Sequence, residues 1–157
     1  MQLSSPSFQP NGPIPDQYTC EGENASPTIE WSGVPAGTKS MALIVDDPDA
    51  PDPKAPQKTF VHWVVYGLPP NAGRLPDHAT AQALPEGAKM GLNDFKKSQW
   101  GGPCPPVGRH RYFFKLYALD TKLGNLKSAT KQQLLEAMKG HILEEAQLVG
   151  TFEKHRH

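Results

Sequence analysis

The run from Thr59 to Leu68, Thr-Phe-Val-His-Trp-Val-Val-Tyr-Gly-Leu, is rich in β-branched and aromatic residues and holds no Asp, Glu, Lys or Arg. Such a run reads as a β-strand. Strand alternation puts Phe60, His62, Val64 and Tyr66 on one face and Val61, Trp63 and Val65 on the other. Both faces are mainly apolar, so each must be covered by another layer, which favours a central strand in a sandwich. Met41-Ala42-Leu43-Ile44-Val45 is a second buried strand and runs directly into Asp46-Asp47-Pro48-Asp49-Ala50-Pro51. Proline has no amide donor and a fixed φ, so Pro48 and Pro51 predict that this strand stops there. The strongest strand is His110 to Leu119, with His110, Tyr112, Phe114, Leu116 and Ala118 opposite Arg111, Phe113, Lys115, Tyr117 and Leu119.

Between these runs the chain is punctuated by turn formers. Proline accounts for 17 of the 157 residues, about twice its average share, and it is spread between apolar runs rather than gathered in one tract. The prediction is a loop-rich, all-β-dominated domain over 1–157. Tyr18-Thr19-Cys20 and Thr28-Ile29-Glu30-Trp31 are expected to be short strands, and residues 50–58 a proline-rich surface loop. Pro69 to Pro106 has little periodicity, and a loop longer than roughly 12–15 residues tends to be functional or disordered. Thr130 and Gln133 match a capping box, followed by Leu134, Leu135, Met138 and Ile142 at helical spacing, with Gly140 ending the helix. Leu143 to Phe152 is expected to form a last strand.

Several classes of function are disfavoured at this stage. Lys plus Arg and Asp plus Glu each count 16, so the basic excess of a nucleic-acid binder is missing. No apolar stretch approaches the roughly 20 residues of a membrane span. The N-terminus lacks the basic and apolar regions of a signal peptide. The chain is therefore expected to be cytoplasmic. Cys20 and Cys104 lie far apart and form no C-x-x-C pair, so spacing alone leaves open whether they meet. Nucleophile-elbow, P-loop, zinc-protease and dinucleotide motifs are all missing, and no cofactor is expected.

What remains is a cluster of Asp46, Asp47, Asp49, His62 and His110, with Tyr112 on the His110 face. Taken alone, these residues could ligate a metal, act as a general acid–base set, or receive a small polar group. Each also has a plain structural role, as a hydrogen-bonded core histidine or as an aspartate that starts a turn.

Four motifs in one order narrow the choice: Trp31-Ser-Gly-Val-Pro35, Asp47-Pro-Asp-Ala-Pro51, Phe60-Val-His-Trp63 and Gly102-Pro-Cys-Pro-Pro-Val-Gly-Arg-His-Arg-Tyr112. Together they resemble the phosphatidylethanolamine-binding protein family, also called the Raf kinase inhibitor protein family, and within it the short prokaryotic branch. The resemblance implies a β-sandwich of two antiparallel sheets with one or two short helices and a small anion pocket at one end. It implies that Asp47, Phe60, His62, His110 and Tyr112 line that pocket. Ala50, Pro51 and the segment Gly102, Pro103, Cys104, Pro105 and Pro106 would form its walls. Asp49 and Arg111 would form a structural ion pair, and neither a metal site nor a catalytic residue is implied.

The function expected from this resemblance is binding of a phosphate-like or phosphoethanolamine-like anion, with a protein kinase or phosphoprotein as a further partner. The alternative is a phosphoester or ester hydrolase using His62 and His110 as acid and base. Imidazoles donating to phosphate oxygens would make affinity fall above roughly pH 7. The chain stops soon after Phe152, which leaves little room for the helix that closes one side of the pocket in longer family members. A homodimer is therefore expected.

Overall fold

A computed structural model describes residues 1–123 and 126–155. The strands are β1 (Gln2–Ser4), β2 (Ile29–Ser32), β3 (Ser40–Ala50), β4 (Lys58–Leu68), β5 (Arg74–Leu75), β6 (Lys89–Met90), β7 (His110–Leu119) and β8 (Ile142–Phe152). They form two antiparallel sheets, a small one ordered β1-β2-β5 and a large one ordered β6-β4-β3-β7-β8. One α-helix, α1 (Lys131–Met138), is present among the described residues. None of the described helices is long and apolar enough to cross a membrane.

The apolar faces of β3 and β4 explain this layering. Met41, Leu43, Val45, Trp63 and Val65 meet Leu3, Ile29, Trp31 and Leu75 of the small sheet to make the inter-sheet core. On the other face of the large sheet, Ala42, Ile44, Val64 and Tyr66 pack with Leu134 and Met138 of α1. Each large side chain buried in this way stabilises the fold by about 1.5–3 kcal/mol. The capping box starts α1, with the Gln133 amide donating to Thr130 Oγ1 at 3.2 Å and the Thr130 amide donating to Gln133 Oε1 at 3.1 Å. Gly140, at φ +82°, turns the chain into β8, so Ile142 is a strand residue and not a helical one.

Strict alternation fails in β4. Val45 pairs with Trp63 while the next residue, Asp46, pairs with Val61, so His62 is an extra residue in a β-bulge. Val64 and Tyr66 face the helix layer, and Trp63 and Val65 face the small sheet. His62 meets Tyr112, a member of the inter-sheet core, at 5.2 Å between ring centres. The expected grouping of Phe60, His62, Val64 and Tyr66 is therefore split at the bulge.

β3 also continues through Pro48 to Ala50. Its ladder to β7 ends at the Asp46–Phe113 pair, and its register to β4 shifts between Asp47 and Ala50. Pro48 thus sits at a bulge where no ladder bond to β7 needs its amide. The Tyr18–Cys20 strand is not formed: Asp16–Tyr18 is a 3-10 turn, and Thr19 bonds back to the Asp16 carbonyl through both its amide and its hydroxyl. Within 69–106 only β5, β6 and a 3-10 turn at Ala81–Ala83 are regular.

Candidate functional site

Where β3 ends and β4 and β7 begin, the large sheet opens into a cavity of about 230 Å³. Its lining includes Asp47, Ala50 and Pro51 from β3 and the residue after it, Lys58, Phe60 and His62 from β4, and His110 and Tyr112 from β7. The loop before β7 adds Cys104, Pro105 and Pro106, and an earlier loop adds Phe95. Gly102 and Pro103 do not reach the cavity. They are buried behind it, where the Gly102 amide donates to Asn24 Oδ1 at 2.9 Å and the Pro103 carbonyl accepts from the Cys20 amide at 3.1 Å.

Asp47 and His110 form the floor, with side-chain exposures of 4% and 1%. His110 Nδ1 lies 2.5 Å from Asp47 Oδ2, and Asp47 Oδ1 accepts from the Asp49 amide at 2.7 Å. His110 Nε2 faces two carbonyl oxygens, Val107 O at 2.8 Å and Pro51 O at 3.1 Å. Carbonyl oxygens only accept, so this nitrogen carries a proton. At Nδ1 the ring is hydrogen-bonded to the Asp47 carboxylate. Both ring nitrogens and both carboxylate oxygens are thus engaged within the protein.

His62 is oriented differently. Its Nδ1 lies 2.6 Å from the Gly101 carbonyl and must donate to it. Burial holds its pKa below the usual histidine value, against the opposing pull of Gly101 and of the Asp47, Asp46 and Asp94 carboxylates. The ring is therefore neutral at pH 7, and its Nε2 is a lone-pair acceptor with no protein partner among the described residues. The Tyr112 hydroxyl likewise has no partner among them, and burial, with Asp47 and Asp49 nearby, pushes its pKa upward, so it stays a donor. The expectation that both imidazoles present N–H donors is not what this geometry provides.

Asp49 and Arg111 stand outside the cavity and join the two strands. The Arg111 Nη2–Asp49 Oδ1 distance is 2.8 Å, and the Arg111 backbone amide donates to Asp49 Oδ2 at 2.9 Å. Asp46 points to the opposite face, where Lys115 and Lys131 pair with it at 3.2 and 2.7 Å. The three neighbouring acids therefore have three separate roles.

Sequence reasoning missed two lining residues. Lys58, expected in the proline-rich loop, opens β4, and its ammonium sits 5.0 Å from the centre of the Phe60 ring. Extending the alternation Phe60, His62 back by one step would have found it. Phe95 had no such signal. It is carried in by the turn around Asn93, whose Oδ1 accepts from the Phe95 and Lys97 amides, and its ring packs 4.8 Å from Phe60. Cys104 is disulfide-bonded to Cys20, with a Cα–Cα distance of 5.4 Å and both residues exposed. Among the described residues, no group of three or more His, Cys, Asp and Glu is placed to hold a metal ion.

Two packed antiparallel sheets, with this cavity at the strand ends of the larger one, define a β-sandwich with a single-ended pocket. The family model described as phosphatidylethanolamine-binding protein matches residues 4–153. The UPF0098 protein of Methanothermobacter thermautotrophicus is 48% identical over 155 residues, covering 98% of this chain and 99% of its own. A phosphatidylethanolamine-binding protein homologue of Chlamydia trachomatis, CT736, superimposes with a TM-score of 0.89 at 43% identity, over 98% of this chain and 97% of that one. E. coli YbcL gives a TM-score of 0.87 at 34% identity, over 98% of both chains. The chain belongs to the phosphatidylethanolamine-binding protein family.

Proposed function

We propose that this chain binds a small phosphate-type anion, free or as the phosphorylated group of a larger molecule, and acts by capture rather than catalysis. One conjunction carries the proposal. The Lys58 ammonium shares a cavity with the polar atoms of two buried residues, Tyr112 Oη and His62 Nε2, which have no hydrogen-bond partner among the described residues. The remaining wall is largely Ala, Pro and Phe carbon, the usual setting for a few orienting polar groups. A volume of about 230 Å³ suits a head group or an oxyanion. Family membership supports ligand binding in general, and the anionic class is the step added here.

Hydrolysis by His62 and His110 is the weaker alternative, because an acid–base pair needs a free nitrogen on each ring and His110 has both engaged. A phosphorylated protein, including a kinase or its target, presents the same group. Capture of the phosphorylated but not the unphosphorylated form would extend the proposal to signalling. A homodimer would cover Phe95 and Val107, which are 43% and 50% exposed beside the cavity, and light scattering at micromolar concentration tests it. The exposed disulfide favours an oxidising compartment over the cytoplasm expected from the sequence. Alkylation of the protein in fresh extract separates the two, since only the reduced form takes up label.

Calorimetry with inorganic phosphate and phosphoethanolamine is the direct test of binding. Lys58→Ala should weaken binding about two- to five-fold, as for a rim charge. Tyr112→Phe, which removes a buried donor, should weaken it about 10- to 100-fold. No heat and no thermal protection at millimolar ligand would sink the proposal.

A further inference from the structure

The cavity offers a fixed and limited hydrogen-bonding pattern. Both ring nitrogens of His110 are engaged, by Asp47 and by the Val107 and Pro51 carbonyls, and each Asp47 oxygen already holds one contact, to His110 or to the Asp49 amide. Three side-chain polar atoms of the lining make no hydrogen bond among the described residues: Lys58 Nζ at the rim, the Tyr112 hydroxyl as a donor, and His62 Nε2 as an acceptor. The acceptor is enforced, because the Gly101 carbonyl 2.6 Å from Nδ1 requires the single proton of a neutral ring to sit there. A fully ionised phosphate has only acceptor oxygens, so one of them would face the His62 lone pair unmatched. A phosphate that keeps one proton fits all three positions, with its O–H directed to His62 Nε2 and its remaining oxygens accepting from Tyr112 and Lys58.

Building on the anion-binding proposal above, we propose that the cavity selects the singly protonated form of a phosphate monoester. The complex then holds one proton between a ligand oxygen and His62 Nε2, whatever the ionisation of the free ligand. The groups facing His62 allow this. Asp47 lies on β3, Asp94 on the loop carrying Phe95, His110 and Tyr112 on β7, and Lys58 on its own strand, while Asp46 acts from the opposite face of β3, where Lys115 and Lys131 pair with it. The three carboxylates favour a shared proton at this point, while burial keeps it off His62 when no ligand is bound.

The sign of the pH dependence follows. Below the second phosphate ionisation, about pH 6, the ligand brings its own proton and affinity is level. Above it the complex binds one more proton than its separated parts, so affinity falls about tenfold per pH unit. A cationic His62 in the free protein would also give a fall, but with its midpoint set by the histidine and not by the ligand.

Calorimetry with two probes of different second ionisation, phosphoethanolamine and methylphosphonate, distinguishes these cases. Sulfate and dimethyl phosphate serve as anions that carry no proton. The expected result is a pH midpoint that moves with the probe's own ionisation, proton uptake above it in buffers of different ionisation enthalpy, and at least about tenfold weaker binding of sulfate and dimethyl phosphate. In His62→Gln, whose amide can turn an N–H towards the ligand, proton uptake should vanish and sulfate should bind as well as phosphate. A common midpoint for both probes, equal binding of sulfate by the native protein, or proton uptake that persists in His62→Gln would each overturn the protonation assignment while leaving anion binding intact. No binding of any probe at any pH would overturn both proposals. The two-probe comparison uses the native protein alone and so does not depend on the variant folding.

Discussion

Arg111 reaches Asp49 three times: its backbone amide and Nε donate to Oδ2 at 2.9 and 3.0 Å, and its Nη2 donates to Oδ1 at 2.8 Å. These bonds begin just beyond the point where the backbone ladder between β3 and β7 ends, at Asp46 and Phe113. A carboxylate therefore stands in for the missing strand pairing. The arrangement leaves β3 free to bend towards the cavity while remaining tied to its neighbour.

Asp49→Ala should lower unfolding stability by about 1–3 kcal/mol in urea titration, mostly through the bond to the backbone amide. The guanidinium is 55% exposed, so its charge contributes less than its geometry suggests. Arg111 holds the Asp49 carboxyl below its ordinary value of 3.8. The associated stability is complete above that value and is lost as the pH falls through the lower folded-state value. The difference between native protein and variant should therefore narrow in strong acid. A constant difference down to pH 2 would contradict this account.

Asp47→Ala would leave His110 Nδ1 buried without its partner. Breaking a buried pair in this way costs about 3–5 kcal/mol. His110→Ala should cost a similar amount, and the double variant clearly less than the sum. A double-mutant cycle by chemical denaturation measures the coupling, and additive losses would show that the two side chains act independently.

The neutral, buried state of His62 predicts a weakening of the fold in mild acid. Its folded-state pKa lies below the ordinary value of 6.5. Between the two, the unfolded chain binds a proton that the native chain does not, so stability falls as the pH drops below 6.5. His78 and His155 are exposed, and their carboxylate partners raise their pKa values, so their contributions run the other way. The difference between native protein and His62→Gln, followed by melting temperature against pH, isolates the His62 part. It should be largest at neutral pH and shrink as the pH falls.

Reduction of the disulfide should destabilise the chain substantially. Cys20 and Cys104 are 84 residues apart, and a bridge closing a loop of that size contributes about 2–5 kcal/mol. A lower melting temperature in reductant, matched by the Cys20→Ser/Cys104→Ser double variant, is the expected outcome. An unchanged melting temperature in both would show that the loops on either side hold themselves in place.

Local pattern by itself determined a good deal here. The apolar runs at 41–45 and 59–68 demanded cover, the second on both faces, and the two packed layers on the large sheet supply it. The Thr130–Gln133 capping box placed the start of the helix to the residue, because capping involves only neighbours in the chain. The four motifs pointed to one family, with Asp47, His62, His110 and Tyr112 as the residues to follow.

Tertiary structure decided what those residues can do. The bulge that makes His62 an extra residue is a property of two paired strands, and alternation within one strand cannot report it. The free nitrogen of His62 is set by the Gly101 carbonyl 39 residues away, and the saturation of His110 by Asp47, Val107 and Pro51. The same holds for the Cys20–Cys104 bond and for the arrival of Phe95 at the cavity. Which proton sits on which atom depends on partners remote in sequence, so the residue types were legible early and their hydrogen-bonding roles emerged only from the fold.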